Sequence, residues 1–137
     1  MSGLTLRVIT PDRIALDTQA DSVRLPGVDG SMGILPRHAA MVTALDVGDL
    51  VYTSAGKDHH LFVSGGFAEV RDGTLRVVSE AGERPEDIDP TRAADSEKRA
   101  RERLDSVRKS GEAVDVLRAE AALRRAMLRQ LLKKQHG

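Results

Sequence analysis

The change of hydrophobic period near residue 84 is the feature that most constrains what this chain can fold into. Before it, apolar and polar side chains alternate, as in LTLRVIT at residues 4–10, and this period of two predicts half-buried strands. After it, apolar residues recur three, four and seven positions apart, which predicts amphipathic helices. The sequence therefore predicts a β-rich domain over residues 1–84 and a helical domain over residues 85–137.

Several stretches of the first domain have the alternation of strands, with turn residues between them. They are residues 4–10, 22–27, 48–54, 60–66 and 67–80. The last stretch contains Asp72-Gly73, and because both residues tolerate positive φ, this dipeptide predicts a hairpin. Short strands at this spacing are typical of a sandwich or a small barrel.

The second domain has the pattern of two helices. Asp89-Pro90 predicts the start of the first, because the carboxylate can cap and proline suits the first helical position. A break at KSGE (109–112), containing Ser110-Gly111, predicts a hairpin between antiparallel helices. The predicted apolar stripes are Ala93, Ala100, Leu104 and Val107 in the first helix and Val114, Leu117, Ala121, Leu128 and Leu132 in the second. This narrow seam buries little apolar surface between the two helices. We therefore expect the helical hairpin to be only marginally stable alone, and suited to dock elsewhere or to change shape.

Composition excludes several classes of function. The chain has no cysteine, which excludes disulfides, thiol catalysis and cysteine-based metal sites. No apolar run approaches the ~18 residues of a membrane span, and the N-terminus MSGLTLRVIT lacks the charged-then-apolar pattern of a signal peptide. We therefore expect a soluble chain made in a cytoplasm, whose association with a membrane goes through a partner.

The glycine-rich stretch LPGVDGSMGILPRHAAM (25–41) has two interpretations. Gly27, Gly30 and Gly33 could cradle a phosphate, or they could form turns between strands. A P-loop needs a Lys-Ser/Thr pair and a following helix, whose amides bind the phosphate. This stretch has neither, and Pro36 disfavours a helix. We therefore predict a turn between strands.

No convincing active site or metal site is predicted in residues 1–84. His38 has no histidine or carboxylate at a ligand spacing, and His59 and His60 are adjacent, so on a strand they point to opposite faces. Ser64 in VSGGF lacks the G-x-S-x-G pattern of a nucleophile elbow. An enzyme built on Ser64 or His38 is therefore the least favoured class of function.

Charge is divided between the two domains. Residues 1–84 carry 8 basic and 11 acidic residues, whereas residues 85–137 carry 13 and 10. Arg92 and Arg99 share a face of the first helix, and further basic residues share a face of the second: Arg118, Arg125, Arg129 and Lys133. This pattern fits a solvated face, a site for an acidic protein partner, or a polyphosphate held between the helices. Nucleic acid is disfavoured, because net charge is zero and no aromatic residues interleave with the basic ones.

The whole chain resembles the ε subunit family of bacterial F-type ATP synthases. The stretches that carry the resemblance are LPGVDGSMGILPRHAAM (25–41), LFVSGGFAEV (61–70), IDPTRA (88–93) and RAEAALRRAM (118–127). The resemblance implies a ten-stranded β-sandwich followed by an antiparallel two-helix hairpin. It also implies a non-catalytic subunit of the rotor's central stalk, peripheral on the cytoplasmic side of a bacterial plasma membrane.

The resemblance further implies what each domain binds. In this family the sandwich binds the γ subunit and the polar loops of the c ring, and so couples proton-driven rotation to ATP synthesis. The tip of residues 25–41, around Gly30–Gly33, would face the c ring, with Ser31 where many relatives carry a charge. The hairpin either folds down or extends along γ to the β and α subunits, where it inhibits ATP hydrolysis.

Some bacterial relatives also bind a regulatory ATP through an I/L-D-x-x-R-A motif, which IDPTRA matches. The residues that the resemblance implies for such a site are Glu83, Ile88, Asp89, Arg92, Ala93, Arg99, Arg125 and Arg129. No other cofactor is expected. The alternative function is a stand-alone nucleotide-binding sensor module, in which these arginines are the whole function.

Overall fold

The computed structural model describes residues 3–111 and 113–137, and the chain divides into two compact units. The first unit ends at Arg84 and the second begins at Pro85. Across the described residues, neither helix is long and apolar enough to cross a membrane.

Ten strands in two sheets build the first unit. The strands are β1 Leu4–Ile9, β2 Ile14–Ala20, β3 Ser22–Gly27, β4 Gly30–Ile34, β5 Met41–Ala44, β6 Val47–Ser54, β7 Lys57–Ser64, β8 Phe67–Arg71, β9 Thr74–Val78 and β10 Gly82–Glu83. Sheet I has the order β2-β1-β9-β8-β5, and sheet II has the order β10-β7-β6-β3-β4. All of these pairings are antiparallel except β1 with β9, which run parallel.

Alternating side chains from both sheets form the core of this unit. In β1, for example, Leu4, Leu6 and Val8 are fully buried, whereas the residues between them are partly exposed. The same alternation in β3, β8 and β9 adds further members of one apolar cluster: Val23, Leu25, Ala68, Val70, Leu75 and Val77. The predicted sandwich is therefore confirmed.

Turn chemistry fixes the hairpins that join neighbouring strands. Asp72 and Gly73 connect β8 to β9 with φ values of 51° and 74°, as the predicted hairpin requires. Four strands, β2, β4, β5 and β10, were not predicted from the residues. Residues 67–80 contain two strands, β8 and β9, on either side of the Asp72-Gly73 turn, as the predicted hairpin requires.

Two antiparallel helices form most of the second unit. A short 3₁₀ turn, Pro85–Asp87, precedes α1 Pro90–Ser110 and α2 Ala113–His136. Asp89 caps α1, and Gly111 ends it with a φ of 77° in the left-handed region, where glycine is favoured. Both predicted boundaries are confirmed, although Glu112 of the predicted break lies outside the described residues.

The seam between the helices is lined by small residues. Ala93, Ala100 and Leu104 of α1 are buried as predicted. In α2 the predicted stripe is wrong, because Val114 and Leu117 are 60% and 66% exposed and only Leu132 of the five is buried. The other buried residues of α2 are alanines, Ala119 and Ala126. Since each buried methyl contributes only about 0.8 kcal/mol, this seam is thin.

Candidate functional site

An apolar row crosses the outer face of sheet I at one end of its strands. Strand register puts Phe67 beside Ala44 on one side and Val78 on the other, and Val78 beside Ile9. A bulge after Val8 then brings Ile14 opposite Ile9. Phe67 and Ile14 are 38% and 60% exposed. The row is therefore a continuous apolar strip across five strands, and it is accessible to a partner.

Charged side chains border this strip on the next row of the same face. Glu69 and Arg76 are neighbours across β8 and β9 with 3.7 Å between Oε1 and Nε. On the next strands Arg7 and Asp17 form a second pair, with 3.3 Å between Nη2 and Oδ2. An exposed apolar surface with a polar border is typical of a protein interaction site.

Residues 25–41 form a β-hairpin and a turn, and not a phosphate-binding loop. Gly27 pairs with Gly30 across the turn that joins β3 to β4, so the tip is formed by Val28 and Asp29. The predicted tip around Gly30–Gly33 is therefore wrong, because these residues belong to strand β4. Ser31 is exposed on that strand, which lies at the edge of sheet II.

The three histidines weighed for catalysis or metal binding are engaged in local structure. His38 lies within hydrogen-bond distance of the carbonyl of Ala39, 2.8 Å from its Nδ1. His59 stacks on Tyr52 with ring centroids 4.8 Å apart, whereas His60 Nδ1 lies 2.8 Å from Asp49 Oδ2. The two histidines point to opposite faces of β7, as predicted.

The IDPTRA motif forms the start of α1, and most of its residues have structural roles. Ile88 is buried, and Ala93 is buried in the helical seam. Asp89 Oδ1 accepts hydrogen bonds from the backbone amides of Thr91 and Arg92 at 3.0 and 3.1 Å. The side chain of Arg92 is exposed. Asp89 therefore serves as the helix cap, while Arg92 is left accessible to a ligand.

A cluster of polar side chains joins α1 and α2 directly. Gln130 Nε2 of α2 donates to Glu97 Oε1 of α1 at 2.7 Å, and Arg101 Nε donates to Glu97 Oε2 at 2.8 Å. The bonds from Arg101 and Gln130 to the ionised carboxylate lower the pKa of Glu97 from its ordinary value. Glu97 and Arg101 have the i,i+4 spacing of a helical ion pair, but no sequence signal predicted the contact of Glu97 with Gln130, which is 33 residues away.

The candidate arginines lie on the opposite flank of the hairpin from that cluster. At 100° per residue, Arg92 and Arg99 are rotated by about 140° and 160° from Glu97, and Arg125 by about 140° from Gln130. Arg129 lies one turn beyond Arg125, on the same flank. Arg99 Nη2 donates to Ser96 Oγ at 3.1 Å. The four candidate arginines therefore share one flank of the hairpin, which we call the basic flank.

Glu83 and Lys133 lie apart from the four candidate arginines. Glu83 belongs to β10 of the first unit, where it pairs with Phe62, whereas the other candidates belong to the second unit. Lys133, on the predicted basic face of α2, donates from Nζ to the carbonyl of Glu86 at 2.9 Å. Lys133 therefore ties the end of α2 to the turn before α1.

Comparison with known proteins matches both units. The family model for the β-sandwich domain of the ATP synthase delta/epsilon chain matches residues 3–85, and the model for its long α-helix domain matches residues 86–129. The chain is 46% identical over 131 residues to the ATP synthase epsilon chain of Nitratidesulfovibrio vulgaris strain DP4, with 96% of each chain covered. It is 47% identical over 130 residues to that of Symbiobacterium thermophilum, with 94% and 91% covered.

Two solved structures have a similar fold. The Euglena gracilis mitochondrial ATP synthase, OSCP/F1/c-ring, contains a chain that matches with a TM-score of 0.77 at 24% identity, covering 99% of this chain and 83% of that one. The Tetrahymena thermophila mitochondrial ATP synthase, central stalk/c-ring, contains one with a TM-score of 0.52 at 15% identity, covering 61% and 68%. At 24% and 15% identity, these two matches show a similar fold and nothing further.

Proposed function

Because this chain belongs to the ATP synthase delta/epsilon family, we propose that it works as the epsilon chain of a bacterial F-type ATP synthase, with its sandwich docked on the rotor and its hairpin restraining ATP hydrolysis. In this function the chain is a non-catalytic subunit. It couples c-ring rotation to ATP synthesis, and it is peripheral on the cytoplasmic side of the plasma membrane.

The apolar strip on sheet I is the observation that carries the docking part of this proposal. It spans five strands, is exposed at Phe67 and Ile14, and is bordered by ion pairs. A rigid sheet face of this kind suits a permanent partner, which we propose is the γ subunit. The exposed hairpin tip at Val28 and Asp29 and the exposed Ser31 are the proposed contacts with the c-ring loops.

The thin helical seam supports the proposed role of the hairpin. Its buried residues are mostly alanines, so α1 and α2 gain little free energy from packing on each other. Val114 and Leu117 remain exposed on α2. An element with so little internal packing is suited to change partners, and its basic flank suits an acidic loop of the β subunit.

A regulatory ATP is the second part of the proposal. Arg92, Arg99, Arg125 and Arg129 share one flank of the hairpin, and guanidinium groups bind phosphates through paired hydrogen bonds. ATP held there would bridge α1 and α2, and would favour whichever arrangement of the hairpin keeps the four arginines together. Glu83, Ile88, Asp89 and Ala93 are the remaining proposed residues.

The stand-alone nucleotide sensor is not favoured. Family models match the sandwich as well as the helical domain, and relatives that are 46% and 47% identical cover more than 90% of the chain. A stand-alone sensor that used only the arginines would not need an exposed apolar strip on sheet I.

Binding to the cognate γ subunit tests the docking proposal. Phe67→Glu would place a charge in the apolar strip beside its central residue, Val78, and we expect at least about a thirtyfold loss of affinity, because apolar anchors near the centre of an interface contribute about 2 kcal/mol or more. Leu35→Glu is the matched control, since it makes the same kind of change at an apolar residue of the first unit that is 63% exposed and lies outside the strip. Equal affinities of the two variants, with both folded by circular dichroism, would refute the docking surface.

A further inference from the structure

The cluster at Glu97 closes the hairpin on the flank that faces away from the arginines. Gln130 crosses from α2 to Glu97 on α1, and Arg101 holds the second oxygen of the same carboxylate. Arg101 also reaches across to α2, where its Nη2 lies 3.9 Å from Met127 Sδ. Two side chains therefore make polar contacts between the helices at adjacent turns.

Both carboxylate oxygens of Glu97 and the amide nitrogen of Gln130 have partners in this cluster. Each Glu97 oxygen accepts one hydrogen bond, and the Gln130 amide nitrogen donates to Glu97 and also to the carbonyl of Ala126 at 3.2 Å. Both neighbours of that nitrogen are acceptors, so only the NH₂ end of the amide fits there. The bond to the carbonyl of Ala126, on the same helix, holds the Gln130 amide nitrogen where it donates to Glu97.

We infer that Glu97, Arg101 and Gln130 form a clasp that determines how readily the two helices of the hairpin separate. The apolar seam is too thin to hold the helices tightly, so directional bonds to a charged carboxylate contribute a large share of their association. Gly111, in the left-handed conformation at the end of α1, is the position about which the helices would part. The consequence for ATP hydrolysis rests on the proposed function of the hairpin.

The clasp and the proposed ATP site lie on opposite flanks of the hairpin, so each can affect closure of the helices independently. The arginines that we propose for ATP lie on the opposite flank, so ATP and the clasp can hold the same two helices without competing for side chains. Loss of the clasp would then make closure of the hairpin depend more strongly on ATP. This dependence distinguishes a clasp from residues that merely keep α1 and α2 folded.

Labelling of a buried thiol measures separation of the helices directly. Because the chain has no cysteine, a single Leu104→Cys in the full-length chain gives one thiol, buried in the seam, that reacts with dithiobis(nitrobenzoic acid) when the helices part. In this background we expect Glu97→Ala and Gln130→Ala each to raise the labelling rate about fivefold, because a hydrogen bond to a charged group is lost. The double substitution should raise it little further, because the two residues share one bond.

Two exposed residues on the same helices supply the controls. Glu102→Ala on α1 and Gln135→Ala on α2 make the same chemical changes at exposed positions, and both should leave the labelling rate unchanged. Labelling rates for Glu97→Ala and Gln130→Ala equal to those of the controls would overturn the clasp.

Hydrolysis assays separate the clasp from the proposed function. If Glu97→Ala raises the labelling rate and also changes inhibition when the chain is added back to its ATP synthase, both inferences stand. If labelling rises while inhibition is unchanged, the clasp stands and the proposed restraint by the hairpin fails. If labelling does not rise, the clasp fails, whatever the hydrolysis rate.

Discussion

Asp89 accepts a hydrogen bond from the backbone amide of Arg92 at 3.1 Å, so the acidic residue of IDPTRA fixes the start of the helix that carries the arginine. The same carboxylate oxygen also accepts from the amide of Thr91. Both amides belong to the first turn, where helices have no internal acceptors. A match to this motif can therefore reflect helix capping alone, and substitutions must separate capping from nucleotide binding.

Asp89→Ala should lower the free energy of unfolding by about 1 kcal/mol, because the first turn of α1 loses its cap. Asp89→Asn should cost much less, since asparagine caps nearly as well. Urea unfolding followed by circular dichroism at 222 nm measures both changes. If ATP affinity falls in Asp89→Ala but not in Asp89→Asn, the residue acts through the cap. An equal loss in both would mean that its charge contributes directly to binding.

Gly66→Ala should strongly destabilise the sandwich. Gly66 has a φ of 92°, and a Cβ there would overlap the carbonyl of Val78 on the neighbouring strand, so we expect a loss of about 3 kcal/mol. Gly56→Ala is the control, because its φ of 76° is similar but open space surrounds its Cβ position. That variant should lose only about 1 kcal/mol. Similar melting temperatures for the two variants would contradict this reading of Gly66.

The local chemistry of turns and caps made much of this fold predictable. Asp72-Gly73, Asp89-Pro90 and Gly111 each determine backbone geometry within a few residues, and each was found where its sequence predicted. Strand β5 was missed because it is four residues long and lies at a sheet edge, with partly exposed and exposed side chains in alternation. Its place depends on pairing with β8, which is distant in sequence.

The second helix shows where periodicity was insufficient. Val114, Leu117, Ala121 and Leu128 do lie on one face of α2, but alanines on another face pack in the seam. Hydrophobic period identifies an apolar face, and it does not identify which neighbour covers that face. For the same reason the Glu97–Gln130 contact could not be predicted, since it depends on how the helices align.

The stability contributed by Glu97 should decline in acid. Hydrogen bonds from Arg101 and Gln130 hold the pKa of this carboxyl below its ordinary value of 4.5. A group whose pKa is lowered by folding stabilises the folded state above its unfolded pKa, and this contribution is lost as the pH falls through the folded pKa. The advantage of the unmodified chain over Glu97→Gln in urea unfolding should therefore be constant near neutral pH and shrink below about 4.5. An advantage that persists unchanged in stronger acid would exclude an ionised Glu97 as its source.

ATP binding should depend on one flank of the hairpin and not on the other. The double substitution Arg92→Ala with Arg125→Ala removes one guanidinium from each helix on the basic flank, and we expect saturable binding of ATP, measured by calorimetry, to disappear. Lys98→Ala with Lys134→Ala is the matched control, because it also removes one positive charge from each helix, at exposed positions turned away from the basic flank, and it should leave the affinity unchanged. Parallel losses in both double variants would indicate nonspecific attraction of ATP to positive charge. Absence of binding in the unmodified chain would refute the regulatory nucleotide, and would leave the arginines of α1 and α2 for the β and α subunits.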